Sequence, residues 1–506
     1  MNNDPRNRTS HARRRPQNTT DQAPRRTAQS GRPSTSQQNR QGVQNRQNQP
    51  TGQRRNPQSR TDNGYKFSAG TPRRSGTNPT PVRHVTTLTP ADERRIARRE
   101  ERAIREYKRE EEWQKEVVRV RGGIDVFMLA IILIMLALGS ITVFSASYPR
   151  AISENVSSSY YIANQAKFLV IGFVVMVVAI LIPVKWYKNW APIPAYIVSA
   201  ILLVAVLFIG RSVGEAVRWI KIGPFNLQPS ELMKISLVLM IAWYAEKYEK
   251  QMKDLGRGKE SYKWNIIYPC IILGMACVLV LIGKHLSGTI IVGCIGFLML
   301  ILAGCKLSWL LCTVLPVAAG AIGIFLALNP YALKRITTFT DENANVLDEL
   351  YQTTQSIYAI GSGGLFGKGF GQSQQKYGYL GNAHTDFIFS VWCEELGFIG
   401  AVALILLFLL FIWRGYVIAL RSPDKFTMLT AFGITTHVGI QAFLNMCVAS
   451  DIIMNTGVTL PFFSYGGSAL IVLMCEMGIL LSISRQYYRK KSDIDREELL
   501  KKAGMD

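Results

Sequence analysis

The residue whose setting most invites chemistry is a single acid, Asp386, in the string His384-Thr385-Asp386-Phe387-Ile388-Phe389. It stands where a polar stretch enters a long apolar run, within reach of water and lipid headgroups, and its apolar neighbours favour the role of a general base. An Asp or Thr ahead of a helical run is equally suited to capping that helix, and the residues alone support both readings. Glu394 and Glu395 follow one to two turns deeper in the same run. An ionised group at that depth is costly unless functional or paired, so one of them is expected to meet a basic group on a neighbouring helix.

A second constellation lies in Gln228-Pro229-Ser230-Glu231-Leu232-Met233-Lys234. Pro229 marks a helix start and puts Glu231 and Lys234 at i, i+3 on one face, as an internal ion pair, a substrate contact, or both. Just ahead, Arg218, Trp219 and Lys221 offer cations and an interfacial aromatic, suited to an anionic headgroup or to plain anchoring at the membrane surface. The string Gly361-Ser362-Gly363-Gly364-Leu365-Phe366-Gly367-Lys368-Gly369-Phe370-Gly371 would let backbone amides approach a phosphate, with Lys368 adding charge. No Gly-Lys-Ser or Gly-Lys-Thr opens a helix there, so nucleotide chemistry is not expected. Pro461-Phe462-Phe463-Ser464-Tyr465-Gly466-Gly467-Ser468 joins a breaker to small residues, as where a re-entrant segment meets a tightly packed helix, with Ser464, Gly466 and Gly467 in supporting roles.

The elements that must position these residues are membrane helices. Of 506 residues, the apolar ones concentrate after about position 124, in blocks too long for globular cores. About ten spans are expected, near 125–145, 165–183, 191–210, 229–245, 265–283, 287–304, 307–328, 387–413, 426–449 and 465–484. An even count puts both termini on one side. With that side cytoplasmic, Lys and Arg favour the inner loops, as the positive-inside rule requires, and one long outer connection, 329–385, joins the seventh span to the eighth. Loops of that length without clear regular structure are usually functional.

The flanks differ in material. Residues 1–90 are Arg, Gln, Asn, Thr, Ser, Pro and Gly with almost no large aliphatics, too few to offset the entropy of ordering, and are expected to be a disordered cytoplasmic tail. Residues 91–123 pair Glu with Arg at helical spacing and read as a charged juxtamembrane helix; 124–485 form the membrane domain and 486–506 a charged C-terminal tail. The net charge is +23, and the first 123 residues hold 28 Lys and Arg against 12 Asp and Glu. Basic residues beside a membrane helix sit against anionic headgroups, and without interleaved aromatics no nucleic-acid partner is expected. The eight Cys form no CxxC pair and read as small buried hydrophobes. No signal peptide is expected, so the first span directs insertion.

Several strings together carry a resemblance. They are VFSAS at 143–147, RW at 218–219, QPSELMK at 228–234, SGT at 287–289, YQTTQSIYAIGSGGLFGKGFGQS at 351–373, AHTDFIF at 383–389, EELGFIG at 394–400 and TLPFFSYGGS at 459–468. In that order they resemble the SEDS family (shape, elongation, division and sporulation), whose members include RodA and FtsW, over about 125–485. The resemblance implies an all-α, ten-helix fold in the plasma membrane with both termini cytoplasmic. It implies peptidoglycan glycosyltransferase activity on lipid II and polyprenyl pyrophosphate-linked glycan at the outer face. Asp386 takes the place of the family's essential loop carboxylate, and Glu231 and Lys234 that of its fourth-span pair. Arg218, Lys221, Lys284, Lys368 and His384 join Glu231 and Lys234 as expected substrate-binding residues, and Glu394 and Glu395 as supporting ones.

One departure stands out. Members often read QPDLGT before the sixth span, whereas this chain has Lys284-His285-Leu286-Ser287-Gly288-Thr289 with no Asp, and Lys284 favours an anionic ligand instead. TLPFFSYGG is similar to the division and sporulation branch, FtsW-like. A class B penicillin-binding protein and the division or elongation machinery are the implied partners. A divalent cation, Mg or Mn, is a candidate cofactor, and no organic cofactor is expected. Two other readings stay open: a flippase or transporter of lipid-linked precursors, and a non-catalytic scaffold for cell-wall synthases.

Overall fold

The computed structural model describes residues 98, 101, 105, 117–213, 216–223, 225–253, 262–328, 333, 337 and 351–490. The expected disordered tail at 1–90, most of the expected juxtamembrane helix and the end of the C-terminal tail lie outside these residues, as does most of 329–350. The order is β1 (Val117–Arg121), α1 (Val126–Ser153), α2 (Tyr160–Leu181), α3 (Val184–Asn189), α4 (Pro192–Ile209), β2 (Arg211–Val213), β3 (Ala216–Ile222) and β4 (Phe225–Leu227). Then come α5 (Pro229–Lys247), α6 (Glu249–Lys253), a π-helical turn Lys263–Ile267 running into α7 (Tyr268–Ile282), α8 (Leu286–Ala303) and α9 (Leu307–Leu328). The chain closes with α10 (Tyr351–Ser362), α11 (Ile388–Arg421), α12 (Lys425–Ala449), α13 (Gly467–Ser484) and β5 (Gln486–Lys490).

Among the described residues nine helices are long and apolar enough to cross a membrane, which makes this a multi-pass helical membrane protein. The remaining expected span, the fourth at 229–245, is present as α5. It is less apolar than the nine because it carries Glu231 and Lys234, buried where α4, α7, α8 and α12 enclose it, and Glu246 and Lys247 at its end, where Glu246 pairs with Lys188 and Lys247 is exposed. Helix α13 is the most enclosed of the nine, 72% of its apolar window being buried, against 11% for α9. Side chains such as Phe208 and Leu181 stand open on the outside of the bundle, tolerable only against lipid.

Local chemistry sets the helix ends. Asp125 caps α1 by accepting from Met128 N at 2.9 Å and also holds Arg414 of α11 through both oxygens, at 3.1 and 2.6 Å, so one acid fixes a helix start and a helix pair. Asp424 and Thr427 close a capping box at the start of α12.

Three features depart from the sequence reading. Val117–Arg121, within the stretch expected as helix, is a strand paired antiparallel with Gln486–Lys490, so β-branched Val117, Val118 and Val120 follow their strand preference. Residues 211–227 form a small antiparallel sheet in the order β2-β3-β4. The long connection contains a helix of its own, α10, and α11 bends at Gly397, whose backbone (φ 67°, ψ −164°) is closed to other residue types. At that bend the glycine-rich strand of the loop crosses the helix. A Cβ at Gly367 would overlap the Glu395 carbonyl, and one at Gly397 would overlap the Gly367 amide. The amides of Lys368 and Gly369 donate to the Glu394 and Glu395 carbonyls, both at 3.0 Å.

Candidate functional site

Asp386 lies in the turn 381–387, half-buried, just ahead of α11. The N-cap of α11 is Phe387, and Asp386 stands one residue ahead of it. Its turn is fastened by its own backbone. The Asp386 carbonyl accepts from Asn445 Nδ2 of α12 at 2.8 Å, the Thr385 carbonyl accepts from Ser464 Oγ at 2.6 Å, and the His384 carbonyl accepts from Tyr465 N at 2.9 Å. The carboxylate itself lies over Gly457, where a Cβ would stand 3.6 Å from Asp386 Oδ2. The re-entrant segment that supplies Ser464 is thus the floor of the turn. Gly467, packed on the Phe168 ring, and Gly466, the extended N-cap of α13, let that segment turn into the helix.

Glu394 and Glu395 are both paired, with lysines of the loop rather than of a neighbouring helix. Glu394, fully buried, accepts from Lys368 Nζ at 2.7 Å, Ser373 Oγ at 2.5 Å and Gln374 N at 3.0 Å. Glu395 accepts from Lys376 Nζ at 2.7 Å and from Ser145 Oγ at 2.5 Å, which gives the VFSAS string its role. The phosphate contact expected of Lys368 and the glycine-rich amides is therefore displaced: the ammonium is engaged by Glu394, and two of the amides by α11 carbonyls.

The second constellation forms a separate buried chain. Glu231 and Lys234 pair at 2.8 Å, and Lys234 Nζ donates to Gln441 Oε1 at 2.7 Å. His437 Nε2 lies 2.9 Å from the same oxygen, and its Nδ1 lies 2.8 Å from Glu476 Oε2. Lysine only donates, so Oε1 is the accepting atom of Gln441, in agreement with Gln441 Nε2 facing the Thr459 carbonyl at 3.1 Å. His437 Nε2 is therefore the donor to Gln441, and its Nδ1 shares a hydrogen bond with Glu476. The chain borders a small cavity of about 30 Å³ lined by Glu231, His437, Gln441, Thr459 and Ser464, and Ser464 is the residue that reaches the Asp386 turn. His437, Gln441 and Glu476 escaped the sequence reading, although an ionisable residue inside a membrane helix is itself a signal. Removing one partner strands the other in the interior, so Glu476→Ala is expected to cost roughly 3 kcal/mol or more. A fall in the thermal midpoint of the detergent-solubilised protein reads this, and an unchanged midpoint refutes it.

Strand alternation separates the two cations of β3. Arg218 is half-buried and donates from Nη2 to the Lys284 carbonyl at 3.2 Å, while Lys221 faces outward, exposed. Lys284 is exposed in the turn before α8, at φ 53°. Its neighbour His285 is buried against Ser230 Oγ at 3.2 Å, and burial, with the Arg218 and Lys234 charges, pushes its ring down to about 3. Ser287 then donates to the Thr456 carbonyl at 2.8 Å, one residue from the Gly457 that faces Asp386. The structure thus joins Arg218, Lys284 and Asp386 at one end of the bundle through the irregular segment at 456–457. Lys368 serves the loop, and Glu231, paired with Lys234, lines the small cavity.

His384 is buried between Tyr161 and Tyr465, with ring centroids at 5.3 and 5.8 Å. Burial, helped by the Arg150 charge and opposed by Glu154, pushes its ring down to about 4. The unfolded chain takes up a proton there near pH 6.5 and the folded chain only near 4, so stability falls as pH drops through that window. A His384→Asn protein should show a flatter dependence of thermal midpoint on pH between 6.5 and 4, and an unaltered slope refutes the assignment.

No group of three or more His, Cys, Asp and Glu that could hold a metal ion occurs among the described residues. Comparison with known proteins gives a consistent answer. The family of cell cycle proteins that comprises FtsW, RodA and SpoVE matches residues 125–489. A probable peptidoglycan glycosyltransferase FtsW of Geobacter sp. (strain M18) is 35% identical over 364 residues, covering 72% of this chain and 97% of that protein. The stage V sporulation protein E of Bacillus subtilis (strain 168) is 35% identical over 366 residues, 71% of this chain and 97% of that protein. Among solved structures, a chain of a peptidoglycan synthase complex that coordinates polymerisation and crosslinking is 26% identical with a TM-score of 0.59, covering 72% of this chain and 98% of that one. The rod shape determining protein RodA of Thermus thermophilus is 28% identical with a TM-score of 0.52, covering 72% and 97%. The strings at 143–147, 228–234 and 383–389 and the helical frame that joins them all fall inside the matched region, and the chain belongs to the FtsW, RodA and SpoVE family of cell cycle proteins.

Proposed function

We propose that this protein is a peptidoglycan glycosyltransferase that polymerises lipid II into glycan strands at the outer face of the plasma membrane, with both termini cytoplasmic. The observation that carries the reading is Asp386, a half-buried carboxylate on a turn pinned from α12 and from the re-entrant segment, with Arg218 and Lys284 on the same end of the bundle. In the reaction, Asp386 takes the proton from the sugar hydroxyl of one lipid-linked disaccharide. That oxygen bonds to the anomeric carbon of the lipid-linked strand as the bond to polyprenyl pyrophosphate breaks, its electrons leaving with the phosphate oxygen. The leaving group needs charge neutralisation more than a proton donor, and Arg218 and Lys284 supply it.

The solved peptidoglycan synthase complex supports a transpeptidase as partner, of the class B penicillin-binding type. The family match and the FtsW-like string at 459–468 support service in division or a related wall process. Purified protein in detergent, given lipid II with and without a cognate transpeptidase, should yield polymer. A flippase or a scaffold yields none without a second compartment or a partner active site, so absence of polymer in both conditions rejects the enzyme reading.

A further inference from the structure

A second concavity lies beside the Asp386 turn, about 440 Å³ in volume, between the end of α1 (residues 146–154) and the segment 376–384. Its charges are matched within the protein. Arg150 Nε lies 2.8 Å from Glu154 Oε1, and the other oxygen of Glu154 accepts from the Tyr161 hydroxyl. Lys376 is closed onto Glu395 at 2.7 Å. His384 is neutral above about pH 4. What remains for a ligand carries no net charge: the Tyr377 ring, 52% exposed, the exposed amide of Asn382 on a left-handed backbone (φ 55°), and the outward edges of the mutually neutralising Arg150–Glu154 pair. A net-neutral cleft with an aromatic face and planar polar groups stacks and hydrogen-bonds a sugar ring, whereas a pyrophosphate brought there would lose its water with no spare cation to replace it.

The basic groups are elsewhere. Arg218 and Lys284 are reached from the Asp386 carboxylate through Gly457, Thr456 and Ser287, while the cleft is reached through His384, two residues before it. We propose that the cleft between residues 146–154 and 376–384 is the subsite for the uncharged, N-acetylated amino sugar that presents the attacking hydroxyl, and that pyrophosphate is held on the Arg218–Lys284 flank. This rests on the glycosyltransferase reading and gives the site a direction: acceptor sugar on one side of Asp386, departing phosphate on the other.

The test uses the full chain in detergent and two probes, the trisaccharide of N-acetylglucosamine and inorganic pyrophosphate, followed by ligand-observed saturation-transfer NMR. The trisaccharide should bind the native protein, and Tyr377→Leu with Asn382→Ala should weaken it about tenfold. Arg150→Ala with Glu154→Ala, a charge-neutral pair of changes on the opposite wall, should weaken it similarly. Pyrophosphate should not displace the trisaccharide, and its own binding should fall with Arg218→Ala. Thermal midpoints of both double variants, within a few degrees of native, exclude misfolding; if one pair fails to fold, the other decides. The subsite is overturned if the trisaccharide does not bind, if it binds the folded double variants as well as the native chain, or if pyrophosphate competes with it. Lipid II polymerisation is run on the same native sample. Polymer without trisaccharide binding removes the subsite alone, and trisaccharide binding without polymer removes the enzyme reading and leaves a saccharide site.

Discussion

Asp386→Asn protein is expected to make no detectable glycan polymer from lipid II, a loss of about 10²–10⁴-fold or more, while folding as the native chain does. Both halves follow from how the residue is held. The turn is fastened through the carbonyls of His384, Thr385 and Asp386, which the substitution leaves alone, so Asn445, Ser464 and Tyr465 keep their bonds. The amide fills the space of the acid over Gly457 but cannot take a proton. The measurement is polymer length and yield on a gel, paired with the thermal midpoint of the same sample. Retained polymerisation would reject Asp386 as the base. Lost polymerisation together with a collapsed midpoint would mean that the side chain, and not only its backbone, supports the turn.

The membrane architecture was legible because apolar runs long enough to span a bilayer have few other uses. Helix α5 is the instructive member. Its Pro229 start and Glu231–Lys234 spacing marked it as a span despite its charges, and the pair does close, at 2.8 Å. Asp386 was legible as an acid where a polar stretch meets an apolar run, but no local pattern told that α11 would begin at Ile388, with Phe387 rather than Asp386 as its N-cap. Two kinds of feature were not legible. Long-range polar partners such as Glu395 with Ser145 and Lys376, or His437 with Glu476, lie far apart in sequence or on separate helices, and no local period announces them. The glycines of 361–371 have one composition for two uses, phosphate binding and close backbone crossing. Only the bend at Gly397 shows that at least the segment around Gly367 serves the second.

That crossing makes Glu394 the place where loop and bundle are most tightly coupled, and Glu394→Ala is expected to cost about 3–5 kcal/mol of stability and most of the polymerising activity. The carboxylate is fully buried and gathers donors from three directions: Lys368 Nζ, the Ser373 hydroxyl, and the amides of Gln374 and Gln375. Without it the half-buried Lys368 ammonium loses its counter-charge and two amides lose their acceptor, so the lowest-energy response is for 363–376 to leave the bend. Lys376, the cleft and the Asp386 turn lie directly downstream on the same strand of chain. Limited proteolysis within 363–376 and the thermal midpoint read the first effect, and polymer yield the second. Because the cost is that of a stranded charge, Lys368→Met placed on Glu394→Leu should recover stability relative to Glu394→Leu alone, whereas two unrelated losses would add. A double variant as unstable as the sum of its parts would show that this pair does not hold the loop, and the coupling of loop to carboxylate would have to run through Glu395 and Lys376.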